Sequence, residues 1–250
     1  MKNILQTEVG QVRNHCGYFL LDDLCIISAK GKETFSFLQT QTTNDALKVL
    51  PGQGQNSAIT DRQARLISNF SLHRIAEHEA WLLVETSQKE ILLNHLESFH
   101  FREEVQFTAL DYKLLALQGP KSPLALEKIF AGQHLPEKAN DIAALTLDSQ
   151  PMGIIMKSLT GEEGYILCFP DTLRDHLTQQ ILSTQPEPIK LSPEARDVLR
   201  IEAGLPVYGV DMDAKNILPE TGLEHSSVSY NKGCYIGQEV IARIKTYGAP

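Results

Sequence analysis

The sequence predicts an α+β fold in which antiparallel sheets are packed by helices. Segments with the composition of strands come in groups, and single amphipathic helices separate these groups, twice along a chain of 250 residues. The regular alternation of strand and helix that builds parallel sheets is missing. A chain of this length can bury one large core or two smaller ones, and its composition, 42% hydrophobic and 22% charged, is that of an ordinary globular protein.

The first half of the chain carries candidate strands around two candidate helices. The strand-like segments lie within residues 18–31, where Asp22-Asp23 marks a turn between two strands, and at 55–60, 65–75, 80–86 and 104–120. Along 65–75 apolar and polar residues alternate, which is typical of a half-buried strand. The helices are predicted at 32–41 and 87–101, the second with Ser87 as N-cap and Glu90 three residues later, as in a capping box.

The second half repeats this pattern after a break at residues 119–123. A helix is predicted from Ser122, and Gly132 ends it. Strands are then predicted at 141–147, 153–159 and 164–170. Asp171 is the predicted cap of the next helix, and a further helix begins at Ser192-Pro193 and ends near Gly204.

Charge, hydropathy and cysteine usage exclude several classes of protein. No apolar run approaches the roughly 18–20 residues that a membrane helix needs, and the first residues lack the pattern of a secretory signal. The net charge of −8 argues against a dedicated nucleic-acid binder, since such proteins neutralise phosphates with a basic face. The four cysteines form no C-x-x-C pair and the histidines no H-x-x-x-H pair. The sequence therefore predicts a cytoplasmic protein without a closed metal site or a disulfide framework.

The stretch NKGCYIGQEV, residues 231–240, is the strongest candidate for chemistry. Cys234 lies two residues after Lys232, and a neighbouring cation lowers the pKa of a thiol so that the nucleophilic thiolate forms. Gly233 lets the backbone turn sharply, and Gly237 allows another backbone or a ligand to approach closely. From Lys232 onward, three cations and one carboxylate give a net charge of +2, which suits a small anionic ligand. The alternative is a small buried cysteine where a loop enters a helix.

Two further segments carry polar residues at useful spacing. Arg196 and Arg200 are four residues apart on a predicted helix, so they share a face that could clamp a carboxylate; a solvated face is the alternative. Tyr208 follows this helix in a tight loop. The residues TTND at 42–45, which include Asn44, are typical of turns and helix caps.

Taken together, these motifs resemble those of the YgfZ-type folate-binding proteins, which are relatives of the glycine-cleavage T-protein, an aminomethyltransferase. The specific part is K-G-C-[FY]-x-G-Q-E, matched at 232–239 and preceded by LRIEAGLPVYGVDMD at 199–213. Weaker matches are FLQTQTTNDALKVLPGQ at 37–53 and LALQGP at 115–120. The resemblance runs from about residue 18 to the end of the sequence.

This resemblance implies a T-protein-like fold of two intertwined subdomains, each an antiparallel sheet with helices, around a central folate cavity. We expect the first subdomain at 1–118, with a contribution from 205–250, and the second at 119–204. The segment 205–250 is expected to return to the central cavity. Proteins of this kind usually continue into a small C-terminal β-barrel, and because the sequence stops at TYGAP the barrel is expected to be missing.

The resemblance also implies a function and a site. The expected cofactor is tetrahydrofolate or a derivative, and the expected role is an accessory one in assembly or repair of [4Fe–4S] client enzymes, including enzymes that modify tRNA. Neither a membrane nor direct nucleic-acid binding is expected. Cys234 would be the reactive group, with Lys232 tuning its thiolate. The residues expected near the folate are Asn44, Arg196, Tyr208, Gly233, Gly237, Gln238 and Glu239.

Two departures from the T-protein pattern disfavour aminomethyl transfer. Where T-proteins carry an aspartate pair, this chain has Ser68-Asn69, and Ile166 replaces a glutamate that would hold the pterin ring. Isoleucine cannot accept a hydrogen bond. Three alternatives stay open: an aminomethyltransferase of glycine cleavage, a cysteine hydrolase that pairs Cys234 with His225, and a scaffold that only binds partners.

Overall fold

A computed structural model describes residues 2–248 and divides the chain into two compact units, each built from two separate segments. Unit 1 takes the chain up to Asp22 together with Asp111–Leu205. Unit 2 takes Asp23–Leu110 together with the chain from Pro206 onward. Every unit therefore needs chain segments that are far apart in sequence.

The helices and strands follow one another in the following order. The helices are α1 (Lys2–Asn14), α2 (Thr34–Gln41), α3 (Lys89–Ser98), α4 (Ser122–Ile129), α5 (Arg174–Leu182), α6 (Pro193–Glu202), α7 (Glu224–Ser227) and α8 (Gln238–Tyr247). The strands are β1 (Gly17–Leu20), β2 (Leu24–Lys30), β3 (Gly54–Thr60), β4 (Leu66–Ala76), β5 (Glu79–Glu85), β6 (Gln106–Leu110), β7 (Tyr112–Gln118), β8 (Ile142–Leu147), β9 (Gln150–Met156), β10 (Gly164–Pro170) and β11 (Ile189–Lys190). These strands form two sheets, and the described part contains no third one.

Unit 1 is built on the sheet β11-β1-β7-β10-β9-β8, which is antiparallel except for the short parallel pair β1–β11. Its core holds fully buried large side chains, among them Leu115, Leu126, Phe130, Phe169 and Leu177. Each such side chain contributes about 1.5–3 kcal/mol by leaving water. Helices α4 and α5 supply their apolar faces to this core.

Unit 2 is built on the fully antiparallel sheet β3-β4-β5-β2-β6. The predicted alternation in β4 is present from Leu66 to Phe70, and Phe70 and Leu72 lie in the core that α2 and α3 cover, but Ser71 and His73 on the opposite face are buried as well. Leu38 of α2 and Leu92 of α3 are fully buried against that face. A second, smaller cluster of unit 2 joins the C-terminal segments to the sheet edge; it contains Ala58, Ala64, Leu66, Met212, Leu218, Tyr235 and Ile241.

The domain limits differ from those predicted. Residues 1–22 and 111–118 were expected in the first subdomain, with the sheet of β2, but they lie in unit 1. The reason is strand pairing: β1 pairs antiparallel with β7, with Tyr18 opposite Leu117, so β1 and β2 belong to different sheets and form no hairpin. The predicted contribution of the C-terminal segment to the unit of β2–β6 is present.

One of the three predicted helix caps is present and two are not. Ser192 caps α6 as expected, because its hydroxyl accepts a hydrogen bond from the Ala195 amide at 3.3 Å. The predictions for Ser87 and Asp171 are wrong: each lies in a short 3-10 turn that runs directly into the α-helix, and neither side chain caps it. Helix α1 was not predicted. Among residues 2–248, no helix combines the length and the apolar character that crossing a membrane requires.

Candidate functional site

The sulfur of Cys234 lies at the surface of unit 2, in the loop that leads from α7 into α8. The residue after it, Tyr235, is buried in the small cluster next to the sheet edge. The loop is therefore anchored by its aromatic neighbour while the thiol stays open to solvent. The alternative prediction of a buried cysteine does not hold for Cys234, although it describes Cys16 and Cys168.

The segment TTND holds the chain just before this loop. The Thr43 hydroxyl donates to the Ser227 carbonyl at 2.5 Å, and the Ser229 amide donates to the Thr43 carbonyl at 3.0 Å. The Asn44 side-chain amide donates to the carbonyls of Asn56, at 2.8 Å, and Ser226, at 3.3 Å. Both amide hydrogens of Asn44 thus hold main chain, so the structure gives this predicted cofactor residue a positioning contact.

Lys232 also binds main chain. Its ammonium donates to the carbonyls of Gln39 at 2.6 Å, Thr42 at 2.5 Å and Asn44 at 2.8 Å. Burial lowers the pKa of Lys232 to about 8, and the carboxylate of Asp45 opposes this shift. An ammonium group has three hydrogens, and all three are used. Lys232 therefore has no donor left for a hydrogen bond to the Cys234 thiolate, and its tuning of that thiolate through charge stays a prediction.

Gly237 allows a close approach of two stretches of backbone. Its φ is +85°, and a Cβ at this position would lie 2.6 Å from the Asp61 carbonyl oxygen and 2.6 Å from the Thr60 hydroxyl. The Thr60 hydroxyl donates to the Ile236 carbonyl at 2.7 Å. The turn after β3 thus fixes the loop directly after Tyr235. At Gly233, by contrast, a Cβ would meet nothing within 4 Å.

The other residues of unit 2 that were predicted near the folate lie in or next to α8, or bind a neighbouring side chain of the same unit. Gln238 begins α8, and Glu239 in its first turn forms an exposed pair with Arg243 at 2.7 Å. The Tyr208 amide donates to a carboxylate oxygen of Glu85 at 3.0 Å. Burial raises the pKa of the Tyr208 phenol, and the nearby carboxylates of Asp213 and Glu85 raise it further.

Ser68 and Asn69 stand where the resemblance placed the family aspartates. The Ser68 hydroxyl and the Asn69 side-chain oxygen are both buried, and neither has a hydrogen-bond partner within residues 2–248. Serine and asparagine do not ionise near neutral pH, so this position cannot supply a carboxylate base. Within the same described range, no group of His, Cys, Asp and Glu side chains could hold a metal ion.

Arg196 lies in unit 1, where its guanidinium stacks over the Phe19 ring at 5.0 Å from the centroid. Arg200, on the same helix, is buried and donates to the Asp197 carboxylate at 2.6 Å and to the Leu205 carbonyl at 3.4 Å. The predicted clamp of two free arginines is therefore not formed. Ile166 is fully buried in β10.

Several contacts of the candidate site were not predicted from the sequence. Thr43, Thr60 and Glu85 bind residues of the segment 205–250, and these partners lie 184, 176 and 123 residues away along the chain. No local pattern reveals such pairs. The cysteine-hydrolase alternative gains no support, since no hydrogen bond between described residues joins His225 to Cys234.

Comparison with known proteins supports the superfamily. The family model described as the GCVT N-terminal domain matches residues 1–232. An aminomethyltransferase of Thermus thermophilus is 29% identical over 203 residues, 80% of this chain and 58% of that protein. An aminomethyltransferase of Xylella fastidiosa is 29% identical over 250 residues, 96% of this chain and 67% of its own length. This chain thus spans about three fifths to two thirds of these relatives.

The fold comparison agrees. The crystal structure of the glycine cleavage system aminomethyltransferase T from Bartonella henselae superposes with a TM-score of 0.87 at 26% identity. The match covers 98% of this chain and 67% of that one. The α+β fold of the T-protein type is therefore confirmed. The relatives named above are aminomethyltransferases, so they support the superfamily and do not address the YgfZ subtype or iron–sulfur clients.

Proposed function

Since this chain belongs to the GCVT N-terminal domain family, we propose that it binds a reduced folate, tetrahydrofolate or a derivative, and acts through Cys234. The observation that carries the proposal is the exposed thiol on a loop whose neighbours are fixed on both sides. Cofactor contacts are proposed for Arg196, Tyr208 and Gln238. The four cysteines are all free thiols, as suits the reducing cytoplasm to which we assign the protein.

The more specific role that we propose is an accessory one in the assembly or repair of [4Fe–4S] enzymes, with an indirect effect on tRNA modification. The K-G-C-Y-x-G-Q-E segment at 232–239 supports this role, because it combines a solvent-exposed thiol with a loop that hydrogen bonds hold at Lys232 and at Ile236. A thiol of this kind can act as a nucleophile, as a metal ligand or in disulfide exchange. The lack of a carboxylate at Ser68-Asn69 speaks against the aminomethyltransferase reaction.

A second candidate function is aminomethyl transfer in glycine cleavage, which the named relatives favour. Enzymes that move protons to or from a reacting group need a side chain with a suitable pKa near that group. Ser68 and Asn69 do not provide one, and Ile166 provides no hydrogen bond. The named relatives therefore favour this function, while the side chains at these positions speak against it.

The two functions separate in one set of assays. The accessory role predicts that tetrahydrofolate raises the midpoint of thermal unfolding, as a ligand of the native state does, and that an aminomethylated carrier protein with tetrahydrofolate releases no ammonia above background. Ammonia release at an enzymatic rate would establish the second function instead.

The role of Cys234 is tested in cells that lack the wild-type chain. Cys234→Ala is expected to lose the activity of [4Fe–4S] enzymes while the protein level stays normal. Cys25→Ala, a matched change of a half-buried cysteine in the same unit, is expected to keep that activity. Full complementation by Cys234→Ala would remove Cys234 from the proposal.

A further inference from the structure

The ammonium group of Lys232 is bound where one helix ends. Gln39 lies in the last turn of α2 and Thr42 is its C-cap, so two of the three acceptor carbonyls carry the negative partial charge of a helix C-terminus. The third carbonyl, of Asn44, comes from the turn that follows. An ammonium group with three tetrahedral hydrogens suits three acceptors that converge on one point from different directions.

This anchor works together with its neighbours along the chain. The same short stretch, 42–45, also binds the backbone of Ser227 and Ser229. On the far side of the cysteine, the turn at Thr60 holds the carbonyl of Ile236. Cys234 therefore lies between two fixed points, and Lys232 is the nearer anchor on its N-terminal side.

We propose that Lys232 is a positioning residue: it fixes the loop that presents Cys234 by binding the end of α2, and it is not the counter-ion of the thiolate. The charged groups around it are consistent with this role. Asp45 contributes an opposite charge: burial raises its pKa, but the hydrogen bond and charge of Lys48 outweigh this effect and lower the pKa overall. The ammonium lies 5.1 Å from the centroid of the Tyr235 ring. The functional meaning of the anchor rests on the proposed role of Cys234, whereas the anchor itself can be measured without folate.

The test compares Lys232→Met and Lys232→Arg with the wild-type chain. Hydrogen exchange is measured at the Ser229 amide, which donates to the Thr43 carbonyl, and at the Gly119 amide of unit 1 as the control. We expect exchange at Ser229 to accelerate about 10-fold or more in both variants, since local opening sets this rate, while exchange at Gly119 stays unchanged. The planar guanidinium of arginine cannot direct its hydrogens to three converging carbonyls, so arginine does not restore the anchor.

A second readout separates positioning from a charge effect. The rate of Cys234 alkylation by iodoacetamide is followed against pH, and we expect the midpoint to be the same in wild type and Lys232→Met. A counter-ion would instead make the midpoint rise by about one pH unit or more in Lys232→Met, since an opposite charge nearby lowers a pKa by roughly 1–3 units. In Lys232→Ala, added butylammonium is expected to slow Ser229 exchange toward the wild-type rate, whereas butanol is not.

Two outcomes would overturn the proposal. One is a raised alkylation midpoint with unchanged Ser229 exchange, which makes Lys232 a counter-ion. The other is wild-type exchange in Lys232→Arg, which shows that a positive charge alone suffices. If Lys232→Met does not fold, Lys232→Arg alone decides between an anchor and a counter-ion. For this variant the anchor predicts faster exchange at the Ser229 amide, whereas the counter-ion predicts the wild-type rate. None of these readouts depends on folate binding, so failure of the proposed function leaves them interpretable.

Discussion

Gly237→Ala tests the packing of the loop that carries Cys234 against the turn after β3. The backbone at Gly237 has a φ of +85°, which costs a residue with a side chain about 1–2 kcal/mol. The new Cβ would also lie 2.6 Å from the Asp61 carbonyl oxygen and 2.6 Å from the Thr60 hydroxyl, so the backbones must move apart. That movement breaks the bond from Thr60 to the Ile236 carbonyl, a further loss of about 0.5–1.5 kcal/mol. The expected loss of unfolding free energy is roughly 1.5–3.5 kcal/mol.

Two other glycines of the same unit serve as controls. Gly222 has a φ of +75° with nothing within 4 Å of its Cβ position, so Gly222→Ala carries the conformational cost alone, about 1–2 kcal/mol. Gly233 has open space and no positive φ, so Gly233→Ala is expected to be neutral or to stabilise by up to about 1 kcal/mol.

The assay is urea unfolding followed by the fluorescence of Trp81, the single tryptophan, which is buried in β5 of unit 2. We expect the order Gly237→Ala, Gly222→Ala, Gly233→Ala, from most to least destabilised. If Gly237→Ala costs no more than Gly222→Ala, the close approach of the loop to the turn contributes nothing and the packing argument fails.

Three further predictions concern caps, acid stability and thiol reactivity. Ser192→Ala is expected to lower the unfolding free energy by about 1 kcal/mol, while Ser87→Ala changes it little, because only the first side chain caps a helix; equal losses in urea unfolding would contradict this. Glu224 has a pKa below its ordinary value of 4.5, chiefly through a tyrosine hydroxyl bond, so its stabilisation is complete above that pH and is lost as pH falls through the lowered pKa. The stability difference between wild type and Glu224→Gln should accordingly shrink on acidification, and a difference that grows would refute the assignment. Iodoacetamide followed by mass spectrometry should label Cys234 well before Cys168, whose pKa is raised by complete burial; faster labelling of Cys168 would show that the assigned exposures are wrong.

The features that the sequence predicts are those visible in short local patterns, namely strand periodicity and the residues that begin helices. The Ser192-Pro193 entry of α6 is visible in a few consecutive residues and is present, and so is the alternation in the first half of β4. Further along β4 both faces are buried, which the polar Ser71 and His73 do not suggest. Ser87 and Asp171 look equally good as caps, but the chain forms a 3-10 turn through each of them before the helix begins. Local composition does not distinguish a cap from such a turn.

The arrangement of the site depends on contacts that local patterns do not encode. The motif around Cys234 is visible in the sequence, and its exposed position agrees with a reactive thiol. The role of Lys232 is not visible, because its acceptors are carbonyl oxygens of residues 188 to 193 positions away. Every residue type offers such a carbonyl, so sequence spacing suggested the nearer thiol as the partner.

The central claim is that this chain binds a reduced folate. Isothermal calorimetry of the purified chain with tetrahydrofolate tests it most directly, with glutamate alone as a control ligand. We expect saturable heat with one site per chain for tetrahydrofolate and no saturable heat for the control. Absence of any saturable heat with tetrahydrofolate, from protein that melts cooperatively, would contradict the account.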